Sequence, residues 1–365
     1  MTGGVRILAL VTDAFGAGGG IAQYNRDIIG ALSKWPGLGA IDILPRKGVA
    51  ASDQVPARAH QFAPVHNQIA YSLKAFQIAW RNRPDVVFCG HLFMAPLARL
   101  IARLCQARLV VQTHGVEVWQ RPSVMQLAAL EAADLVLCVS RDTRARVSGW
   151  AAISPDRVVV LPNTVSEAYG TGDGSALRAE LGVQAKIVLL SVSRLDAGQR
   201  YKGQDRVIRL VGALRASGHD IVYLVGGSGD DRPRLEALAR EVGVDEHVRF
   251  LGEVPYATLP DLYRAADLYC MPSMGEGFGI VFLEAMACGL PAVGLAAGGA
   301  PDALLEGVAV DEAGLEAAVE RALRTGRRDP QALSRRIGAR YGRPVFTARV
   351  ELIFDRLTSA PGAPA

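Results

Sequence analysis

Two glutamates, Glu276 and Glu284, bracket a glycine-rich turn in Glu276-Gly-Phe-Gly-Ile-Val-Phe-Leu-Glu284. A carboxylate suits vicinal hydroxyls, because each of its oxygens accepts a hydrogen bond from one of them. Riboses and sugars both offer such pairs. Gly277 and Gly279 allow a ligand to approach the backbone closely. The first turn of a following helix presents N–H groups to an anion. Were the segment helical throughout, the two acids would stand ~12 Å apart along the axis. The pattern describes a site for a sugar joined to a nucleoside through a diphosphate. The plainer reading, two solvated acids on a helix face, fits poorly with the apolar, Gly-rich flanks.

A second cluster supplies charge of the opposite sign. Arg194 and Lys202 lie in Ser193-Arg-Leu-Asp-Ala-Gly-Gln-Arg-Tyr-Lys-Gly203, directly after an apolar strand-like run. Two fixed cations neutralise a diphosphate leaving group without a metal. In agreement, the chain contains no Asp-x-Asp and no spacing of the H-E-x-x-H kind. The plainer reading is a pair of exposed loop cations among 40. Earlier in the chain, Gly16-Ala-Gly-Gly-Gly20 separates the first strand-like run from the first helical one. Its backbone could approach a phosphate or a sugar, but the spacing is not that of a dinucleotide fingerprint. His114 closes another strand-like run, just before Gly115. It could hydrogen-bond a ligand, although a lone histidine is more often structural.

These residues recur at one kind of place, the carboxyl end of a strand. β-rich runs at Val5–Val11, Ala40–Leu44, Asp85–Cys89, Leu109–Gln112, Leu135–Val139 and Val158–Leu161 alternate with helical periodicities such as Asn67–Trp80 and Ala95–Leu104. The second half repeats the pattern with Ile187–Ser191, Ile221–Val225, Val248–Leu251, Leu268–Met271 and Ala292–Leu295. That order predicts two α/β, Rossmann-like domains facing each other across a cleft. The expected boundaries are 1–165, a Gly-rich linker over 166–183, and 184–343. A last helical periodicity covers 344–358.

The 365 residues are 50% hydrophobic and 21% charged, which fits two globular domains and excludes a disordered chain. No apolar run is long enough for a signal peptide or a bilayer span, so a cytoplasmic location is expected. The five cysteines form no C-x-x-C pair and read as buried thiols. Residues 1–165 hold 17 basic and 10 acidic side chains, while the rest holds 23 and 26. A basic first half could favour an anionic partner, and the inner face of the cell membrane is one such surface.

Taken together and in this order, the motifs resemble the family-4 retaining glycosyltransferases, which have the GT-B fold. The matching pieces are the glycines at 16–20, Thr113-His-Gly115, Asp134-Leu-Val-Leu-Cys-Val-Ser140, Pro162-Asn163, Arg194 with Lys202-Gly203, Phe250-Leu-Gly252, Glu276 with Glu284, and Gly298-Gly299. They span about residues 5–305. The resemblance implies that the last helix, 344–358, packs back on the first domain, that Glu284 holds the ribose and that Glu276 contacts the donor sugar. It implies that the backbone of Phe278, Gly279 and Ile280 lies near the diphosphate, which Arg194 and Lys202 hold. Gly19 and Gly20 would line the donor phosphate, His114 would touch the transferred sugar, and the Gly252–Val254 backbone would frame the base. No cofactor is implied beyond a nucleoside-diphosphate sugar as donor, of the GDP-mannose or UDP-hexose type. The acceptor would be a glycan or a lipid-linked glycan, in polysaccharide, lipopolysaccharide or glycolipid synthesis. Two departures are local: Asp302 where the family often has Glu, and a short stretch at Glu306–Asp311. A nucleotide-sugar epimerase of the same fold and a non-catalytic sugar-nucleotide-binding module are the rival readings. The intact set of Arg194, Lys202, Glu276 and Glu284 disfavours the second.

Overall fold

The computed structural model describes residues 4–16, 18–49 and 55–359. Ala17 of the first glycine-rich loop lies outside them. The chain divides into two compact units. One runs to Thr164 and takes in the final segment from Arg343; the other runs from Val165 to Gly342.

The first unit is built on seven strands: β1 (Val5–Val11), β2 (Leu38–Pro45), β3 (Ala59–Gln61), β4 (Val86–Cys89), β5 (Arg108–Thr113), β6 (Leu135–Cys138) and β7 (Val158–Val160). All pairings are parallel, in the order β3-β2-β1-β4-β5-β6-β7. β4 and β6 read Val-Val-Phe-Cys and Leu-Val-Leu-Cys, and every one of these residues is buried. Strands covered by helices on both faces have no polar side to show, so they are continuous apolar runs rather than alternating ones. The helix Gly20–Lys34 packs against the last helix, Arg343–Ser359. Tyr24 meets Phe346 edge-on, and the Trp35 indole donates to Asp355 at 2.7 Å. The chain's final helix therefore completes the first unit.

The second unit repeats the plan with β8 (Ile187–Val192), β9 (Ile221–Gly226), β10 (Val248–Gly252), β11 (Leu268–Met271), β12 (Ala292–Leu295) and β13 (Val308–Val310). Its parallel order is β10-β9-β8-β11-β12-β13. Each sheet reverses its winding once, between β1 and β4 and between β8 and β11. Crevices that hold ligands open at such switch points, outside the carboxyl ends of the strands.

Three details differ from the sequence reading. The stretch 166–183, expected as a linker, belongs to the second unit. It forms a helix over Ser175–Glu180, buries Tyr169, and is tied down by Arg178 to Asp267 at 3.1 Å. The Arg264 guanidinium also donates to the Gly170 carbonyl at 2.9 Å. Two short edge strands, β3 and β13, were not anticipated. β13 fills the Glu306–Asp311 stretch that looked like an abbreviated loop.

Candidate active site

The loops after β8 and β11 meet at the switch point of the second sheet. The first is a tight 3-10 segment, Ala197–Lys202, and Gly203 then opens the helix Gln204–Ala216. Lys202 thus ends the segment before that helix. Its Nζ donates to Glu276 Oε1 at 2.5 Å, with the two side chains 17% and 8% exposed. Two charges so far out of water hold each other in place, and removing either leaves the other uncompensated. Tyr201 stands beside them: burial pushes its hydroxyl up, with the charges of Lys202, Glu276 and Arg194 all acting on it. Arg194 is otherwise placed from what was expected. It is 74% exposed and lies 3.6 Å from Asp196, so only Lys202 of the two cations is fixed.

Glu276 lies in the loop after β11, and the helix that follows starts only at Ile280 and runs to Ala287. The acids therefore do not share one helical axis, and the ~12 Å estimate from a continuous helix does not apply. Glu284 sits just over one turn into the helix. Two glycines shape the loop. Gly279 adopts φ +93, and a side chain there would meet the Phe282 ring at 2.7 Å. Gly298 lies against the Glu276 backbone, where a Cβ would come within 2.6 Å of the Glu276 carbonyl, and the Gly299 N–H donates to that same carbonyl at 2.7 Å. The loop after β12 thereby fixes the Glu276 main chain. The Phe278 side chain is buried edge-on against Tyr341, which leaves its backbone on the loop as the part a ligand could meet. Ile280 and Val281, partly exposed, form the first turn.

Glu284 is buried, and two tyrosines donate to its carboxylate. Tyr263 reaches Oε2 at 2.9 Å and Tyr256 reaches Oε1 at 3.2 Å. Both come from the chain just after β10, the segment that carries Gly252 and Val254. Gly252 accepts from the Gly227 N–H at 2.7 Å, which joins the ends of β9 and β10. Val254 is partly buried beyond it.

In the first unit, Gly19 caps the helix Gly20–Lys34, and both glycines are exposed with no neighbouring atom where a Cβ would sit. His114 ends the loop side of β5. Its backbone N–H donates to Glu117 at 2.5 Å, and its Nε2 lies 2.9 Å from the Gly90 carbonyl at the end of β4. A carbonyl accepts only, so Nε2 carries the proton. Burial lowers the His114 pKa, which keeps the ring neutral and makes Nδ1 an acceptor. The group can receive a hydrogen bond from a hydroxyl; it is not poised to give a proton. Among the described residues, no three His, Cys, Asp or Glu side chains converge as a metal site would need.

Two family models match: Glycosyltransferase Family 4 over residues 18–169 and Glycosyl transferases group 1 over residues 175–337. The chain is also 37% identical over 312 residues to the GDP-mannose-dependent alpha-(1-6)-phosphatidylinositol monomannoside mannosyltransferase of Mycolicibacterium smegmatis. That match covers 79% of this chain and 80% of the relative. The chain belongs to the family-4, group 1 glycosyltransferases. The D-inositol 3-phosphate glycosyltransferase of Kribbella flavida is 36% identical over 190 residues, a match that covers 49% of this glycosyltransferase and 44% of the relative. For the fold, Anabaena HepE in complex with UDP superposes with a TM-score of 0.76 at 21% identity, over 96% of this chain and 100% of that one. The α/β architecture of two Rossmann-like domains is thus that of the GT-B glycosyltransferases.

Sequence reasoning missed the tyrosines around Glu284. Tyr256 and Tyr263 lie 28 and 21 residues before it, and no local motif links them. It also missed that Lys202 and Glu276, 74 residues apart, are partners. The signal was available in principle. Two loops that follow the strands at a switch point must lie side by side.

Proposed function

We propose that this glycosyltransferase moves a hexose from a nucleoside-diphosphate sugar to a lipid-linked acceptor, with retention at the anomeric carbon. The observation that carries the reading is the Lys202–Glu276 pair beside the helix start at the switch point, with Glu284 one turn further on. Lys202 has three donors, and Glu276 takes one. The Glu276 contact holds the ammonium in place before the donor arrives, and its remaining donors are left for a departing diphosphate. Glu276 then meets a hydroxyl of the sugar, and Glu284 meets the ribose. Arg194, exposed and free to swing, closes on the diphosphate from solvent. Gly19, Gly20 and His114 keep the roles that the resemblance implies.

In the reaction, the bond from the anomeric carbon to the β-phosphate oxygen breaks, and its electron pair stays on that oxygen. The acceptor hydroxyl forms the new bond on the same face and passes its proton to the leaving phosphate. The lysine and arginine do the work of a metal, and no cofactor takes part. GDP-mannose is the first donor to try, because the Mycolicibacterium relative is named for it; a UDP-hexose is the next. The test is transfer in EDTA with proton NMR of the product. The expected product keeps the donor's anomeric configuration. An inverted product, or no nucleoside diphosphate released from any GDP-, UDP- or ADP-hexose, would overturn the proposal.

The lipid-linked acceptor draws support from one face of the first unit. The helix Gln68–Asn82 leaves Ile69, Leu73 and Trp80 exposed at four- and seven-residue spacings, 65% or more each. The neighbouring helix Ala95–Cys105 leaves Leu100 and Leu104 exposed. Lys74, Arg81, Arg99 and Arg103 lie on the same two helices, which hold no acidic residue. An apolar stripe rimmed by cations suits an anionic bilayer surface. The acceptor in the Mycolicibacterium relative's name, a phosphatidylinositol monomannoside, is also a lipid. Flotation with phosphatidylserine-containing vesicles at low salt should carry the protein, and Leu73→Ser/Trp80→Ser should abolish it. Equal flotation of both would end the membrane assignment.

A further inference from the structure

The second sheet carries another concave site, at the end opposite to the candidate active site. A cavity of about 260 Å³ opens at the amino ends of β12 and β13, where Pro291 and Gly307 immediately precede those strands. Arg327 and Arg328 line it from the segment between the helices Leu315–Thr325 and Pro330–Tyr341. Arg327 is partly buried. One Nη donates to the Arg264 carbonyl at 2.9 Å and the other to the Tyr263 carbonyl at 3.2 Å, while the Nε is enclosed without a hydrogen-bond partner. Burial acts against the charge and lowers its pKa. The Asp267 charge opposes that, but this carboxylate pairs with Arg178 at 3.1 Å. Arg328 is exposed and forms no ion pair among the described residues. Both acids of the lining are committed elsewhere. Glu306 pairs with Arg336 at 2.7 Å, and Asp329 caps its helix by accepting from the Ala332 N–H at 2.8 Å. The cavity thus sets two arginines that no acid of its lining pairs beside an apolar wall of Pro291, Val308 and Leu333. Guanidinium groups in such a setting suit an oxyanion on a small apolar body.

Two walls of the cavity lead to Glu284. The carbonyls that Arg327 holds belong to the last turn of the helix Leu259–Ala265, and Tyr263 of that turn donates to Glu284 Oε2 at 2.9 Å. Gly289 lies just past the helix Ile280–Ala287 that carries Glu284, and a Cβ there would come within 2.6 Å of Pro330. We propose that this cavity is an effector site for a small organic oxyanion, a phosphate monoester or a carboxylate on an apolar body, whose binding steadies Glu284 through Arg327. The anion balances the two arginines. Arg327 then keeps its hold on the Tyr263 and Arg264 carbonyls, and Tyr263 stays on the carboxylate. Occupancy of the cavity tightens binding at Glu284, and by reciprocity a ligand at Glu284 tightens the anion. The cavity is independent of what Glu284 binds; the tightening rests on the reading of Glu284 as the ribose group.

The test is calorimetric titration of the full chain with phenyl phosphate, benzoate and inorganic phosphate. One of the two aromatic anions should bind in the millimolar range or tighter, and the tighter of them names the head group; inorganic phosphate, which leaves the apolar wall empty, should bind more weakly. Arg328→Ala, at an exposed position, should weaken binding about fivefold or more, and Val308→Trp, which fills the cavity from the edge strand, should abolish it. Lys202→Met/Glu276→Gln should leave it unchanged, because that pair lies at the other end of the sheet. With the cavity saturated, the affinity for UDP or GDP should rise about fivefold in wild type and stay the same in Val308→Trp. No binding of any of the three anions, or binding that Arg328→Ala and Val308→Trp leave intact, would overturn the site. Anion binding with unchanged UDP and GDP affinity would overturn the link to Glu284. A wild-type protein that binds neither UDP nor GDP would instead overturn the Glu284 reading itself.

Discussion

At the scale of single residues, the two cations of the site are not equivalent, and their variants should separate. Arg194 is exposed, so Arg194→Ala should leave the melting temperature unchanged while turnover falls about a hundredfold or more. Lys202 is the partner of a buried carboxylate. Lys202→Ala should therefore cost turnover and also about 3–5 kcal/mol in the urea unfolding of the second unit. The double variant Lys202→Met/Glu276→Gln should regain most of that stability and none of the turnover. A Lys202→Ala protein as stable as wild type would contradict the pairing. Glu276 and Glu284 were legible in the sequence because the glycines that shape their loop are adjacent in the chain. The Lys202–Glu276 contact and the tyrosines on Glu284 were not, because tertiary packing brings them together over 21 to 74 residues.

At the scale of elements, the long buried strands announced themselves and the edges did not. β4, β6 and β11 are apolar runs bounded by turn residues, and their positions follow from that alone. β3 (Ala-His-Gln) and β13 (Val-Ala-Val) are three residues each at sheet edges, too short for either periodicity to register. The Gly-rich stretch before Ser175 looked like a linker by composition. What makes it part of the second unit is the reach of Arg264, which donates back to Gly170. A buried acid governs the helix pair of the first unit. Asp27, in Gly20–Lys34, accepts from Gln23 at 3.0 Å and lies 3.4 Å from Arg343 of the last helix. Burial outweighs those partners and pushes its carboxyl from 3.8 to about 6. The native state then holds this proton more tightly than the unfolded chain. The group's contribution favours the fold at low pH and is lost as pH rises from 3.8 to about 6, amounting to roughly 3 kcal/mol above that window. Thermal unfolding of Asp27→Asn should lack this fall in stability between pH 4 and 6. Matching slopes for variant and wild type would contradict it.

At the scale of the whole molecule, the two units use one plan for different chemistry. Each is a parallel sheet with a single switch point. The second carries at its switch point a fixed cation, a helix start and two buried acids, the set we propose for a nucleoside diphosphate. The first carries open glycines, a neutral histidine, and a basic, apolar helical face. The sequence holds 17 basic against 10 acidic residues in 1–165, and Trp80 and Leu73 are exposed on one helix of that unit. The central claim is that Glu284, Lys202 and Glu276 form a nucleoside-diphosphate site. Its most direct test is calorimetric titration of UDP, GDP and inorganic pyrophosphate into wild type and Glu284→Gln. Wild type should bind at least one of the two nucleoside diphosphates, and Glu284→Gln should bind it about tenfold or more weakly while its affinity for pyrophosphate stays the same. Equal nucleoside-diphosphate affinity in the two proteins, or none in wild type, would contradict the account.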